Sequence, residues 1–286
     1  MITDVARSPV DLEVVIPAFD EEERLGATLR ATAEVLWSQP WSSRIVVVDN
    51  GSTDRTSEVA DDVAGRVPVL VIGCSRRGKG AAVRRGVLTS PARWVGYCDA
   101  DAATPAKLIA PAVDLLIAGH PIVIGSRYCA GGRVMVRQSL LRRLGGRGFR
   151  TLSRRLVGDL TDTQCGFKFF DGDLARRLFA ESRTTGFAFD LELLALAHSA
   201  HLPVVELPVD WYDRRGSTLR SVRDGIRAYR ELRGLRMIAE EPVDILTLDP
   251  GLLPPCPPEA PAASAGPATT GEVCGEPDPD CRSELA

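Results

Sequence analysis

The chain has 286 residues, of which 44% are apolar and 26% charged, and a formal net charge of −3. These values fit one large or two small soluble domains with a substantial core, and the slightly acidic balance argues against a nucleic-acid partner. No apolar run approaches the roughly 18–20 uncharged residues that cross a bilayer, and the start, MITDVARSPVDLEVV, lacks the basic-then-apolar pattern of a signal peptide.

The seven cysteines are scattered and include no CxxC pair, so a reducing cytoplasm is expected rather than a disulfide framework or zinc site. In chain order, Leu12–Ile16, Ile45–Val48, Val67–Ile72, Trp94–Cys98 and Ile122–Ile124 read as buried strands. Their β-branched, near-continuous apolarity suits a mostly parallel sheet covered on both faces. Between them Glu22–Leu36, Thr53–Ala64, Gly80–Thr89 and Lys107–Ala118 have helical patterns, with Ser52 or Thr53 and Asp54 as a cap for the second. Strand and helix alternating four times predicts an α/β fold with a doubly wound, Rossmann-like sheet. Residues 126–165 break the rhythm with glycines and nine arginines. Phe167–Phe170, a helix over Phe189–Ala200, a strand over Val204–Val209 and a helix over about 221–237 complete the domain. A single domain is expected over 1–241, with a nucleotide-binding half (12–125) and an acceptor half (126–241). The Pro/Ala/Gly-rich acidic stretch 242–286 reads as a disordered tail.

Doubly wound sheets bind ligands beyond the carboxyl ends of their strands. There this chain places Pro17-Ala18-Phe19-Asp20-Glu21-Glu22, Asp49-Asn50-Gly51-Ser52, Arg76-Arg77-Gly78-Lys79-Gly80 and Asp99-Ala100-Asp101. Any one acid could cap a helix or sit in a solvated loop, but four clusters on one sheet edge are harder to explain that way. In an extended stretch residues i and i+2 point the same way, so Asp99 and Asp101 can share a hard cation such as Mn2+ or Mg2+. A cation there would neutralise charge growing on a departing diphosphate. Gly73–Gly80 competes as a P-loop: GCSRRGKG matches at every position but the last, where Gly80 replaces the magnesium-holding Ser or Thr. Without that hydroxyl, Lys79 can still approach a nucleotide phosphate, the glycines allowing close backbone approach.

These stretches, VIPAFDEE (15–22), VVDNGSTD (47–54), RGKG (77–80), DAD (99–101), GSRY (125–128), DTQCGFK (162–168) and FAFDLELL (187–194), resemble family 2 glycosyltransferases of GT-A fold. The resemblance spans residues 12 to about 237 and is nearest to the branch that glycosylates polyprenyl phosphates, the last two motifs pointing to dolichyl-phosphate glucosyltransferases. It implies an inverting hexosyltransferase with a nucleotide-sugar donor. Pro17, Ala18, Asp20, Glu21 and Asp49 would line the base and ribose, with Asp99 and Ala100 beside the ribose and diphosphate. Asp101, with Asp99, would ligate the metal. Arg127 and Arg137 would face the acceptor phosphate, and Gln164, Lys168 and Asp190 would border sugar and acceptor. Two departures matter: Asn50 replaces the usual second acid of VVDDGS, and Ala102-Ala103-Thr104 follows the acid pair where mannosyl enzymes continue Leu-Gln. The second favours UDP-glucose over GDP-mannose.

A phosphate acceptor is already ionised at neutral pH, and the planar fork of arginine suits it; a hydroxyl acceptor needs a base, for which Asp190 is the candidate. Residues 137–157 interleave leucines with arginines. They read either as an amphipathic helix lying on anionic lipid at the cytoplasmic membrane face or as an ordinary helix with a solvated basic face. His198 and His201 share a possible helical face but, lacking a third ligand, read as structural. Cys165 reads as packing, and Trp211 and Tyr212 as acceptor-stacking or core-closing residues. Rival readings are a soluble glycosyltransferase with a small-molecule or peptide acceptor, a P-loop nucleotide hydrolase or kinase, and an inactive sugar-nucleotide-binding module.

Overall fold

The computed structural model describes residues 10–63, 65–135, 153, 154 and 156–212. Among the described residues nine strands form: β1 (Leu12–Ala18), β2 (Ser43–Asp49), β3 (Val69–Gly73), β4 (Trp94–Cys98), β5 (Ile122–Ser126), β6 (Arg133–Val134), β7 (Phe167–Asp171), β8 (Val204–Pro208) and β9 (Asp210–Trp211). The helices of the described residues include α1 (Leu25–Trp37), α2 (Thr56–Asp61), α3 (Lys79–Thr89), α4 (Ile109–Ile117), α5 (Gly172–Glu181) and α6 (Phe189–Ser199). A seven-stranded sheet runs β3-β2-β1-β4-β7-β5-β8, and β6 pairs with β9 in a small ribbon.

Side chains alternate across a strand, and the apolar runs therefore feed two cores. Val15, Val46, Val48 and Tyr97 face α3, α5 and α6, while Val14, Ile16, Ile45 and Val47 face α1 and α4. The interior strand β1 is buried on both faces, as its near-continuous apolarity predicts. Its polar member, Glu13, is paired in register with Arg44 of β2, and the two form an ion pair with both side chains at most 3% exposed.

Several expectations change. β7 runs antiparallel to both β4 and β5 and lies between them, so the otherwise parallel sheet is split by a reversed strand. β3 is half-exposed rather than buried because it is an edge strand. α2 starts at Thr56, not Thr53, because Ser52 and Thr53 bond to Asp49 and Asp20 in the preceding loops. α5 is a helix beyond those expected, capped by the Asp171 carboxylate accepting from the Leu174 amide. His201 falls past the end of α6 with φ of 55° and does not continue the helical face of His198. Leu156 and Val157, at the end of the arginine-rich stretch, are buried in the core. Most of that stretch, Arg137, the expected helix near 221–237 and the tail 242–286 lie outside the described residues.

Candidate active site on the carboxyl edge of the sheet

The register brings the site together. Ala18 is paired with Asp49 and Asp49 with Gly73, while Val15 is paired with Tyr97, so β1 to β4 all end on one edge. Because β7 is reversed, its first residue Phe167 meets Cys98. The 162–166 turn that feeds β7 therefore arrives beside the Asp99-Ala100-Asp101 exit.

Asp99 is held from two sides. Its Oδ1 lies 2.6 Å from Lys79 Nζ, and its amide donates to the Gly166 carbonyl at 3.1 Å. The carboxylate rests over Gly166, where a Cβ would come within 2.0–2.4 Å of its three side-chain atoms; only glycine leaves room. Asp101 Oδ1 accepts from the Ala103 amide, and the Ala100 carbonyl accepts from Thr28 Oγ1 of α1 at 2.6 Å, which pins the turn. Burial and the neighbouring Asp99 charge raise the Asp101 carboxyl above its usual range. Glu21 is also raised, by burial first and by Asp101 and Asp99, although Arg24 at 2.7 Å opposes the shift. Burial works against the charge of Lys79, but Asp99, Asp190 and Asp101 outweigh it and hold the ammonium above the ordinary lysine range.

Three carboxylates thus share one field with Lys79 and Arg24 as counter-charges, an environment that favours a further cation. Among the described residues no three His, Cys, Asp or Glu side chains by themselves form a complete cage. A Mn2+ or Mg2+ ion bound with substrate needs only one or two carboxylates, its remaining positions being taken by phosphate oxygens and water.

The loops around the acids are zipped to one another. Asp20, at φ 52°, accepts from the Thr53 amide at 2.8 Å, and its own amide donates to Ser52 Oγ. Asp49 accepts from the Ser52 amide and hydroxyl on Oδ1 and from Ser57 Oγ on Oδ2. Pro17 and Ala18 end β1 beside them, Ala18 buried and Pro17 half-buried, with Phe19 exposed. Asn50 explains its own departure from the acidic pattern. Its Nδ2 donates to the Cys74 and Arg76 carbonyls at 3.1 and 2.8 Å, and its Oδ1 accepts from the Gly78 amide at 2.7 Å. A carboxylate could make only the last of these bonds.

The P-loop alternative fails on geometry. At Gly78, with φ of 124°, a Cβ would lie 2.1 Å from the Thr185 carbonyl oxygen, and at Gly80 it would lie 2.7 Å from both Phe189 Cβ and the Thr184 carbonyl oxygen. The glycines admit the 184–189 chain, not a phosphate, and the Ala81 amide is already given to Thr185 O.

Just beyond the end of β5, Arg127 donates through Nε and Nη2 to both oxygens of Asp162 at 2.7 and 2.9 Å, and its guanidinium lies over the Tyr128 and Trp211 rings. The pair is mutually reinforcing: burial opposes ionisation of both partners, yet Arg127 keeps the Asp162 carboxyl below its usual range and Asp162 raises Arg127. Lys168 is fully buried, and its ammonium donates to the Thr163 and Cys165 carbonyls and to Asp190 Oδ1. The same oxygen accepts from Tyr97 Oη at 2.5 Å. Gln164 Nε2 is buried without a hydrogen-bond partner beside this turn. Burial pushes the Cys165 thiol up to about 12, which leaves it protonated at neutral pH and unsuited to nucleophilic attack. Tyr97 and Asp162 carry no sequence-assigned role. Tyr97 was findable as the phenol in an otherwise apolar strand, Asp162 only as a member of its motif. A separate concavity of 410 Å³, lined in part by Asp159, Leu194, His198 and Glu206, contains none of these residues.

The profile of "Glycosyl transferase family 2" matches residues 13–179. A dolichyl-phosphate β-glucosyltransferase of Dictyostelium discoideum is 31% identical over 251 residues, covering 80% of this chain and 76% of the relative. The Homo sapiens protein of the same name is 31% identical over 247 residues, with 79% and 75% covered. Among solved structures, Mycobacterium tuberculosis glucosyl-3-phosphoglycerate synthase in complex with Mn2+, UDP and glucosyl-3-phosphoglycerate superposes with a TM-score of 0.61 at 18% identity, over 82% of each chain; the likeness is one of fold. With its GT-A topology and these relatives, the chain belongs to glycosyl transferase family 2, in the branch of the dolichyl-phosphate β-glucosyltransferases, and is a hexosyltransferase.

Proposed function

We propose that the protein moves glucose from UDP-glucose to a polyprenyl or dolichyl phosphate in one displacement that inverts the anomeric carbon. The observation that carries this is the convergence of Asp99 and Asp101 on Lys79 at the sheet edge, with Glu21 in the field of the same two acids and the Arg127–Asp162 pair on the same edge. A divalent cation held by Asp101 and Asp99 would supply charge neutralisation for the departing diphosphate. Pro17, Ala18, Asp20, Glu21, Asp49 and Ala100 shape the nucleotide cleft, and Lys79 offers its ammonium to the diphosphate. Gln164, with a buried and unpartnered amide nitrogen, suits a sugar hydroxyl.

In the transfer an acceptor phosphate oxygen bonds to the sugar C1 as the bond from C1 to the diphosphate oxygen breaks, the electron pair leaving with UDP. No proton has to be removed. That agrees with the state of Asp190, 2% exposed and already accepting from Lys168 and Tyr97, which suits a positioning role better than that of a free base. Lys168, with every donor spent inside the protein, likewise orients the 163–166 turn. Arg127 and Arg137 are the cations for the acceptor phosphate.

The test is to incubate radiolabelled UDP-glucose or GDP-mannose, with Mn2+ or Mg2+, with polyprenyl phosphate, with the unphosphorylated polyprenol and with a water-soluble phosphate ester. Label is expected in the lipid extract only from UDP-glucose with polyprenyl phosphate. Label transferred to the soluble ester alone would overturn the acceptor assignment, and label from GDP-mannose alone the donor.

A further inference from the structure

Two acids in the first turn of α6 serve different neighbours, because residues two apart on a helix point about 160° away from each other. Asp190 turns to Tyr97 and Lys168. Glu192, 1% exposed, turns to the 182–185 segment. Its carboxylate accepts from Ser182 Oγ at 2.8 Å, from the Arg183 amide at 2.9 Å and from the Thr184 amide at 2.8 Å. A buried carboxylate holding three donors fixes the conformation of the peptide that carries them.

That peptide is the surface against which the α3 N-terminus is seated. The Thr185 carbonyl accepts from the Ala81 amide, and Gly78 and Gly80 lack the Cβ atoms that would strike Thr185 O and Thr184 O. Between those glycines stands Lys79, whose ammonium meets Asp99 at 2.6 Å. The same ammonium lies 5.9 Å from the centre of the Phe189 ring, at the start of α6.

We propose that Glu192 is a positioning residue for the donor diphosphate: through the 182–185 turn it sets the height and direction of Lys79 over Asp99. The proposal rests on the donor reading above. It assigns the RGKG glycines to docking on this turn, and it makes donor affinity depend on a carboxylate that touches no substrate.

The test is a double-mutant cycle read by calorimetric titration of UDP in the presence of Mn2+ on the full chain, with melting temperature recorded beside it. Glu192→Gln keeps the shape but turns an amide N–H toward groups that donate, and it is expected to weaken UDP binding by about tenfold. Lys79→Met is expected to weaken binding at least as much. In the Lys79→Met background, Glu192→Gln should change UDP affinity less than about twofold while still lowering the melting temperature as it does alone. A merely structural Glu192 would cost the same factor in both backgrounds, and that additivity would overturn the proposal. If Glu192→Gln does not fold, Ser182→Ala, which removes only one of the three donors, must show a smaller loss with the same dependence on Lys79; an equal loss in both backgrounds again overturns it. Wild-type protein that binds no UDP would remove the donor reading and this proposal together, whereas tight wild-type binding with additive losses removes this proposal alone.

Discussion

Replacing Asn50 by Asp is a one-atom change whose cost can be worked out from its three bonds. The side chain is 8% exposed and donates to two carbonyls, Cys74 O and Arg76 O, while accepting from the Gly78 amide. A carboxylate keeps the third bond, loses both donors and sets negative charge against two carbonyl oxygens. At about 1–2 kcal/mol for each of the two buried carbonyls left without its donor, Asn50→Asp should cost roughly 2–4 kcal/mol at pH 7. For a domain of this size that is a fall of about 5–15 °C in melting temperature. The sign with pH follows from the same contacts. Burial and the two carbonyls raise the introduced carboxyl above its unfolded pKa of about 3.9. Its neutral form, which can donate one bond, is therefore favoured in the fold. Stability is retained below the unfolded pKa and lost as pH rises through the folded one. Melting curves of the two proteins from pH 4 to 8 should diverge upward in pH. A gap that is absent, or the same at every pH, would refute the assignment of the Asn50 amide as a donor to the 74–76 loop.

Further outcomes are expected from the site and the core. Asp101→Ala should lower transfer by at least about 100-fold while the protein still unfolds cooperatively in metal-free buffer, and full activity with metal present would remove Asp101 from the metal assignment. The Asp101 and Glu21 carboxyls, raised by burial and by their acidic neighbours, favour the fold below their unfolded pKa values and lose that contribution as pH rises through the folded ones. Mn2+ should therefore raise the melting temperature more at pH 7.5 than at pH 5, and an equal increment at both would contradict the shared field. Glu13→Ala removes the carboxylate from a pair with both side chains at most 3% exposed and should cost about 3–5 kcal/mol in denaturant unfolding, much of which Glu13→Met with Arg44→Met should recover.

The acid edge was legible in the chain because two local signals coincided. Apolar runs of strand length marked where strands end, and polar clusters followed each of them, so Asp49, Asp99 and Asp101 could be assigned to one edge before any coordinates. Asn50 showed the opposite: read locally it weakens an acidic pattern, while in the fold its amide is what the 74–78 loop requires. Lys168 and Asp190 were legible as chemistry-bearing residues but not as partners. The ammonium and the carboxylate lie 22 positions apart and meet only because β7 turns back between β4 and β5. The glycines of RGKG were read as an approach for phosphate, because nothing local to residues 77–80 announces the 184–189 chain that fills the space.

What the amino-acid sequence determined alone was the periodicity of its elements, the sheet they imply and the residue types waiting at the strand ends, since hydrophobic alternation and strand length are local properties of the chain. What the tertiary structure decided was pairing: Arg127 with Asp162, Lys79 with Asp99, Lys168 with Asp190 and Glu192 with the 182–185 turn. The direction and partner of a buried charge are set by whichever group long-range packing brings opposite it, and burial without such a partner would be too costly to persist.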